Sequence, residues 1–230
     1  MNYKMKIVIT SLIVALDVVL LCSIIIVRNA TLENNLKKEV KNLVALDFTK
    51  DRYNTPIKTS GRYGKVEGTM KSYLDDYAVL LQKVLTDIHD DKLTKILSYD
   101  NYQKDGPEFK DSLKYIESSK KEFNDNVDKL IAESQEKGII SYGEKQLSSK
   151  RSIKIYKEFM LSDEMLNNFR ETQKTLAETK VKLNNIYDTS NEVLNFLVKN
   201  KNNWKLEKGE IKFKNQNLYK QYTNMIKKVK

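Results

Sequence analysis

The sequence predicts a mainly α protein: an N-terminal single transmembrane helix, then an elongated antiparallel helical bundle, then a small C-terminal β-hairpin with a short helix. Three observations predict it. Ile7 to Val27 is an apolar run interrupted by one charge, Asp17. At ~1.5 Å rise per residue such a run spans a ~30 Å hydrocarbon core. Beyond Arg28 the chain is Lys-rich and poor in breakers: 31% of all residues are charged, with 7 Gly and 2 Pro in the whole sequence. That composition favours long helices over sheet. Its apolar residues recur at three- and four-residue spacings, except near the C-terminus, where they alternate.

These patterns divide the chain into a short cytoplasmic tail (1–6), a transmembrane helix (7–27), a juxtamembrane helix (28–50), a loop or linker (51–68), a helical bundle (69–200) and a basic hairpin–helix subdomain packed on the bundle (201–230). The apolar run is longer than the roughly 7–15 residues of a cleaved signal peptide. Leu21 stands before Cys22, where a lipoprotein signal needs a small residue, and Ile24, Ile25 and Ile26 continue the run. The segment therefore reads as an uncleaved signal-anchor. Lys4 and Lys6 precede it without an acid, so the N-terminus is expected in the cytoplasm and the C-terminal domain outside a single-pass cell membrane. Lys far outnumbers Arg, which occurs only as Arg28, Arg52, Arg62, Arg151 and Arg170. That usage suggests an AT-rich bacterium and hence a cell-envelope setting.

Asp17 is the one intramembrane polar contact this reading predicts. A charge at that depth costs roughly 2.5–3.5 kcal/mol. It is explained by a partner helix or a second copy of the span, with Thr10 and Ser11 two turns away, or by protonation among apolar neighbours.

Thr31 is expected to cap the juxtamembrane helix, whose stripe is Leu32, Leu36, Val40, Leu43 and Val44. Pro56, Gly61, Gly64 and Gly68 mark 51–68 as a break. Its Arg52, Lys58, Arg62 and Lys65 are solvated or touch lipid headgroups. The next helix is predicted from Thr69 to Gln103, with Leu74, Tyr77, Leu81, Val84 and Ile88 facing a core. Gly106-Pro107 ends it. A third helix runs from Pro107 to Lys137 with Gly138 as its cap. Its stripe is Phe109, Leu113, Ile116, Lys120, Phe123, Val127, Leu130 and Ser134, in which Lys120 and Ser134 are polar exceptions. Ile139 to Ser149 reads as a connection and Glu144 to Met160 as a fourth segment. Ser162 caps the last long helix, which ends near Asn200. Gln173, Lys180 and Ser190 interrupt its coiled-coil seam and favour a globular bundle. Trp204 to Phe213 alternates around Lys208-Gly209, a hairpin signal.

The net charge is +10, and it is unevenly placed. From Lys199 to Lys230 ten lysines stand against Glu207 and Glu210, a balance of +8, whereas 29–198 holds 28 basic and 28 acidic residues. Lys205, Lys208, Lys212, Lys214, Lys220, Lys227 and Lys228 are therefore the candidate contacts for an anionic surface. Trp204, Phe213, Tyr219 and Tyr222 lie among them, a mixture that suits single-stranded nucleic acid. A tethered external domain fits an anionic wall polymer or lipid better than nucleic acid, so no nucleic acid is expected, and the plain alternative is that these lysines are solubilising charge on a small packed subdomain.

Catalytic signatures are sparse. Cys22 and His89 are the only residues of their kinds, which excludes disulfides and multi-His metal sites. Asp87, His89, Asp90 and Asp91 resemble metal ligands, but His89 leaves the helix face that Asp87 and Asp91 share. Glu133 and Glu136 have no evident acid–base counterpart. Ser118 with Lys121 and Ser134 with Lys137 match S-x-x-K spacing without the accompanying S-D-N or K-T-G. No catalytic, metal or cofactor-binding residue is expected. The predicted function is a non-enzymatic interaction or scaffold component of the envelope, binding another envelope protein or itself. The alternative is a binding module for a small ligand, an anionic polymer or a lipid headgroup.

Overall fold

The computed structural model describes residues 27–229. They form helices and one hairpin in two compact units. The first comprises residues up to Asp75 together with Ile139–Leu166, and the second Asp76–Gly138 together with the chain from Asn167 onward.

The first unit contains α1 (27–44), the opening turns of α2 (Gly61–Ile88), most of α6 (Glu136–Gln146), α7 (Lys150–Met160) and the start of α8 (Asp163–Lys199). Leu36, Val40 and Leu43 on α1 are buried with Tyr63, Val66, Met70 and Tyr73 on α2, all at helical spacing. Ile139, Tyr156 and Met160 complete that core. The Tyr156 ring packs against Gly143, where an added Cβ would stand 2.4 Å from it. Ser149 caps α7 by accepting from the Ser152 amide.

The second unit takes the rest of α2, two short helices α3 (Asp91–Lys95) and α4 (Tyr99–Asp105), then α5 (Lys110–Ser134) and the long run of α8. A 3-10 turn (Lys201–Asn203) leads into β1 (Trp204–Glu207), β2 (Glu210–Phe213) and α9 (Gln216–Val229). Ile116, Phe123, Val127 and Leu130 of α5 are buried as the stripe predicts, with Phe169, Leu176, Leu183 and Tyr187 of α8. These two helices run antiparallel. Lys120 pairs with Asp188 at 2.5 Å, Asn124 with Asn184 at 2.9 Å, Asp128 with Lys180 at 2.5 Å, and Ser134 with Gln173 at 2.9 Å. Positions ascend on one helix as they descend on the other. The polar interruptions in both stripes are thus partners rather than defects.

Several sequence expectations are corrected. Among the described residues no helix is long and apolar enough to cross a membrane. The transmembrane helix, the signal-anchor and the single-pass membrane placement built on it are withdrawn accordingly. Positions 7–26, with Asp17, lie outside the described residues. Val27 alone of that segment is described, as the first residue of α1. Arg28, Glu33, Lys37, Lys38, Glu39 and Lys41 on α1 leave it a one-sided apolar stripe. Thr31 sits inside α1, donating to the Val27 carbonyl, and caps nothing.

Helix α2 begins at Gly61, not Thr69, because its glycines admit a neighbouring stretch of loop. A Cβ at Gly64 would stand 2.9 Å from the Thr59 carbonyl oxygen, and one at Gly68 would stand 3.1 Å from Ile57. It stops at Ile88, and Asp90 caps a separate α3. Gly138 lies within α6 and is no cap. A Cβ there would come within 2.5 Å of the Ala132 and Glu133 carbonyl oxygens, so only glycine lets α6 follow α5 so tightly. The hairpin, the Ser162 cap and the end of α8 stand where the sequence puts them.

Candidate functional site

The basic C-terminal segment is fastened to the second unit by its aromatic residues. Trp204 donates its indole N–H to the Leu197 carbonyl at 2.8 Å and stacks on Phe109 at 6.0 Å between centroids. In the hairpin, Trp204 pairs with Phe213 and Leu206 with Ile211, all on the half-buried face. Lys208 and Gly209 both take positive φ, 52° and 81°, the backbone a two-residue turn requires. Asn215 caps α9 through the Asn217 amide. Tyr222 then packs on Phe213 at 5.3 Å, and its hydroxyl meets that of buried Tyr102 at 3.1 Å.

On the outward face of the hairpin, Lys205 stands opposite Lys212 and Glu207 opposite Glu210. Like charges across a ladder repel, and the face relieves this by pairing along each strand, Lys205 with Glu207 at 3.1 Å and Lys212 with Glu210 at 2.5 Å. The carboxylate beside Lys212 also raises its pKa. Of the seven lysines singled out by sequence, these two are locally neutralised. Lys208, Lys214, Lys220, Lys227 and Lys228 are exposed and have no carboxylate partner among the described residues. Lys220 and Lys227 are seven apart and share a face of α9. On the same subdomain a recess of about 480 Å³ is lined by Phe213, Tyr219 and Tyr222 together with the paired Glu210 and Lys212, and Tyr219 is 44% exposed.

The segment 51–68, read from sequence as a solvated loop or linker, is held over Pro56–Thr59 by a buried ionic network. Lys71, 3% exposed, donates to Glu39 Oε1 at 2.8 Å, Glu67 Oε1 at 2.6 Å and the Pro56 carbonyl at 2.8 Å. Glu67 also accepts from the Lys58 and Thr59 amides and the Thr59 hydroxyl. Lys58 Nζ reaches the other oxygen of Glu39 at 2.7 Å. Burial opposes ionisation of both carboxyls, but the lysine and amide donors outweigh it. They hold Glu39 down at about 2 and keep Glu67 below its usual range. The only sequence signal was Glu67 and Lys71 four apart. Glu39 is remote in the chain and invisible to periodicity.

The sequence's catalytic look-alikes are occupied structurally. Asp90 accepts from the Lys92 amide and the Tyr115 hydroxyl. Asp87 accepts from Asn126, and His89 Nδ1 donates to the Leu85 carbonyl. Ser118 Oγ donates to the Tyr115 carbonyl, and Ser134 Oγ lies between the Leu130 carbonyl and the Gln173 amide. Glu133 has Lys129 at 3.8 Å, while Glu136 opens α6. Among the described residues no group of His, Cys, Asp and Glu is arranged to hold a metal ion.

Comparison with protein-family models, curated proteins and solved structures finds no match for this chain.

Proposed function

We propose that this chain is a non-enzymatic interaction module, a helical scaffold that docks an anionic polymer on its C-terminal hairpin–helix face. One observation carries the reading: five exposed lysines without carboxylate partners stand on a subdomain that Trp204, Phe213 and Tyr222 fix to the helices behind it. Elsewhere in 29–198 acids and bases balance. An uncompensated cationic patch repels itself, and a polyanion relieves that repulsion while releasing its own counterions. Lysine suits such a partner because a compact ammonium needs no fixed geometry. The neighbouring aromatic recess offers flat contact to whatever the polymer carries between its charges.

The test is binding of long-chain polyphosphate and of poly-glutamate across a salt series. Affinity is expected to fall steeply with salt. It should be lost when Lys208, Lys214, Lys220, Lys227 and Lys228 are changed together to Gln. Changing Lys104, Lys145, Lys154, Lys174 and Lys182 to Gln removes the same charge elsewhere and should leave most of the binding. Equal loss in both variants would reduce the effect to net charge and overturn the proposal.

A further inference from the structure

The first unit contains an open concavity of about 1050 Å³, remote in sequence from the lysines just described. One wall is a face of α2, from Gly61 through Arg62 and Lys65, and the other is the α6–α7 junction around Tyr142, Ser149 and Ser152. Two helices begin here. Gly61 opens α2 and Ser149 caps α7, and neither helix has an acidic residue in its first turn. The first amides of a helix lack intrahelical acceptors and carry the positive end of its dipole. No carboxylate stands among the lining residues, while hydroxyls are many and both long cations belong to the wall.

An independent observation points the same way. Ser152 lines the concavity and is 3% exposed. Its amide donates to Ser149 Oγ, but its own hydroxyl has no partner among the described residues. The hydroxyl lies on the lining of the concavity, open to an acceptor that enters it.

We infer that the concavity binds a small molecule through a phosphate-type oxyanion. The anion takes hydrogen bonds from the Ser152 hydroxyl and the helix-opening amides, and charge from Arg62 and Lys65. A bare phosphate occupies a small part of this volume, and the half-exposed Tyr142 ring offers a surface to the organic remainder. A phosphomonoester is therefore the favoured form over free phosphate.

Titration calorimetry of the full chain with inorganic phosphate, ribose 5-phosphate and ribose tests this. Saturable 1:1 binding is expected for both anions, tighter for the ester, and absent for ribose. Arg62→Gln with Lys65→Gln should weaken ester binding about tenfold or more. Ser152→Ala should weaken it several-fold, with circular dichroism unchanged in both variants. Lys220→Gln with Lys227→Gln should leave it intact, which separates this site from the polymer face. No saturable binding of either anion at millimolar concentration would overturn the inference. So would unchanged affinity in a folded Arg62/Lys65 variant, or loss in the Lys220/Lys227 variant.

Discussion

Asn124 on α5 and Asn184 on α8 exchange two hydrogen bonds, each amide nitrogen donating to the other's oxygen at 2.9 Å. The pair sits midway along a row of polar contacts between the two helices. Lys120–Asp188 lies on one side of it and Asp128–Lys180 on the other. An amide can satisfy only another group set at its own height, so the exchange fixes register rather than merely adding attraction.

Replacing Asn124 alone by Leu strands the part-buried amide of Asn184. It is expected to cost about 1–3 kcal/mol. Replacing both by Leu should cost clearly less than the sum of the two single changes. Chemical denaturation of the four proteins in a double-mutant cycle measures the coupling, and strict additivity would contradict the exchange. The flanking ion pairs are exposed enough that Asp188→Asn should cost only about 0–1 kcal/mol.

Lys71→Met is expected to be far more damaging. It leaves Glu39 and Glu67 facing each other, 4% and 0% exposed, without the ammonium between them. Loss of one partner from a buried pair typically costs about 3–5 kcal/mol. A denaturant midpoint within error of the parent protein would refute the network.

The same network sets an acid limit. Glu39 titrates near 2 in the folded state against an ordinary 4.5, and Glu67 is shifted the same way. Carboxyls depressed on folding stabilise fully above their unfolded value and lose that contribution as pH falls through the folded one. Stability should therefore decline between about pH 4.5 and about pH 2. Glu39→Gln should flatten that decline. Thermal melts across this range check it, and an unchanged slope in the variant would speak against Glu39.

Gly143→Ala places a methyl group against the Tyr156 ring, 2.4 Å away if nothing moves. Overpacking of this kind is expected to cost about 1–3 kcal/mol. Tyr156→Leu, which removes the ring, should make the added methyl tolerable when the two changes are combined. Melting temperatures of the two single variants and the double variant decide the matter.

The parts of this fold that are legible in the sequence are those whose signal is local. The hairpin announces itself by alternation around Lys208-Gly209, and α5 by its regular stripe of Phe123, Val127 and Leu130. What escaped depends on contacts distant in the chain. Gly61, Gly64 and Gly68 look like breakers, yet Gly64 and Gly68 are helical because residues 57–59 lie against them. Lys120 and Gln173 look like flaws until Asp188 and Ser134 are seen beside them. The basic face could be listed from sequence. Which lysines are already matched, Lys205 and Lys212, needed the pairing of β1 with β2. The concavity at Ser152 left no trace in periodicity, since it joins the start of α2 to a helix junction far downstream.

The first compact unit is written in two separated stretches, with Asp76–Gly138 threaded between them. During synthesis its opening half, Glu39 and Lys71 included, emerges well before Tyr156 and Met160, which complete its interior. A ribosome paused near Gly138 therefore displays exposed apolar surface from two unfinished cores at once. Closing long chain intervals is slow, so the nascent protein has an interval in which chaperones, or aggregation, compete for it.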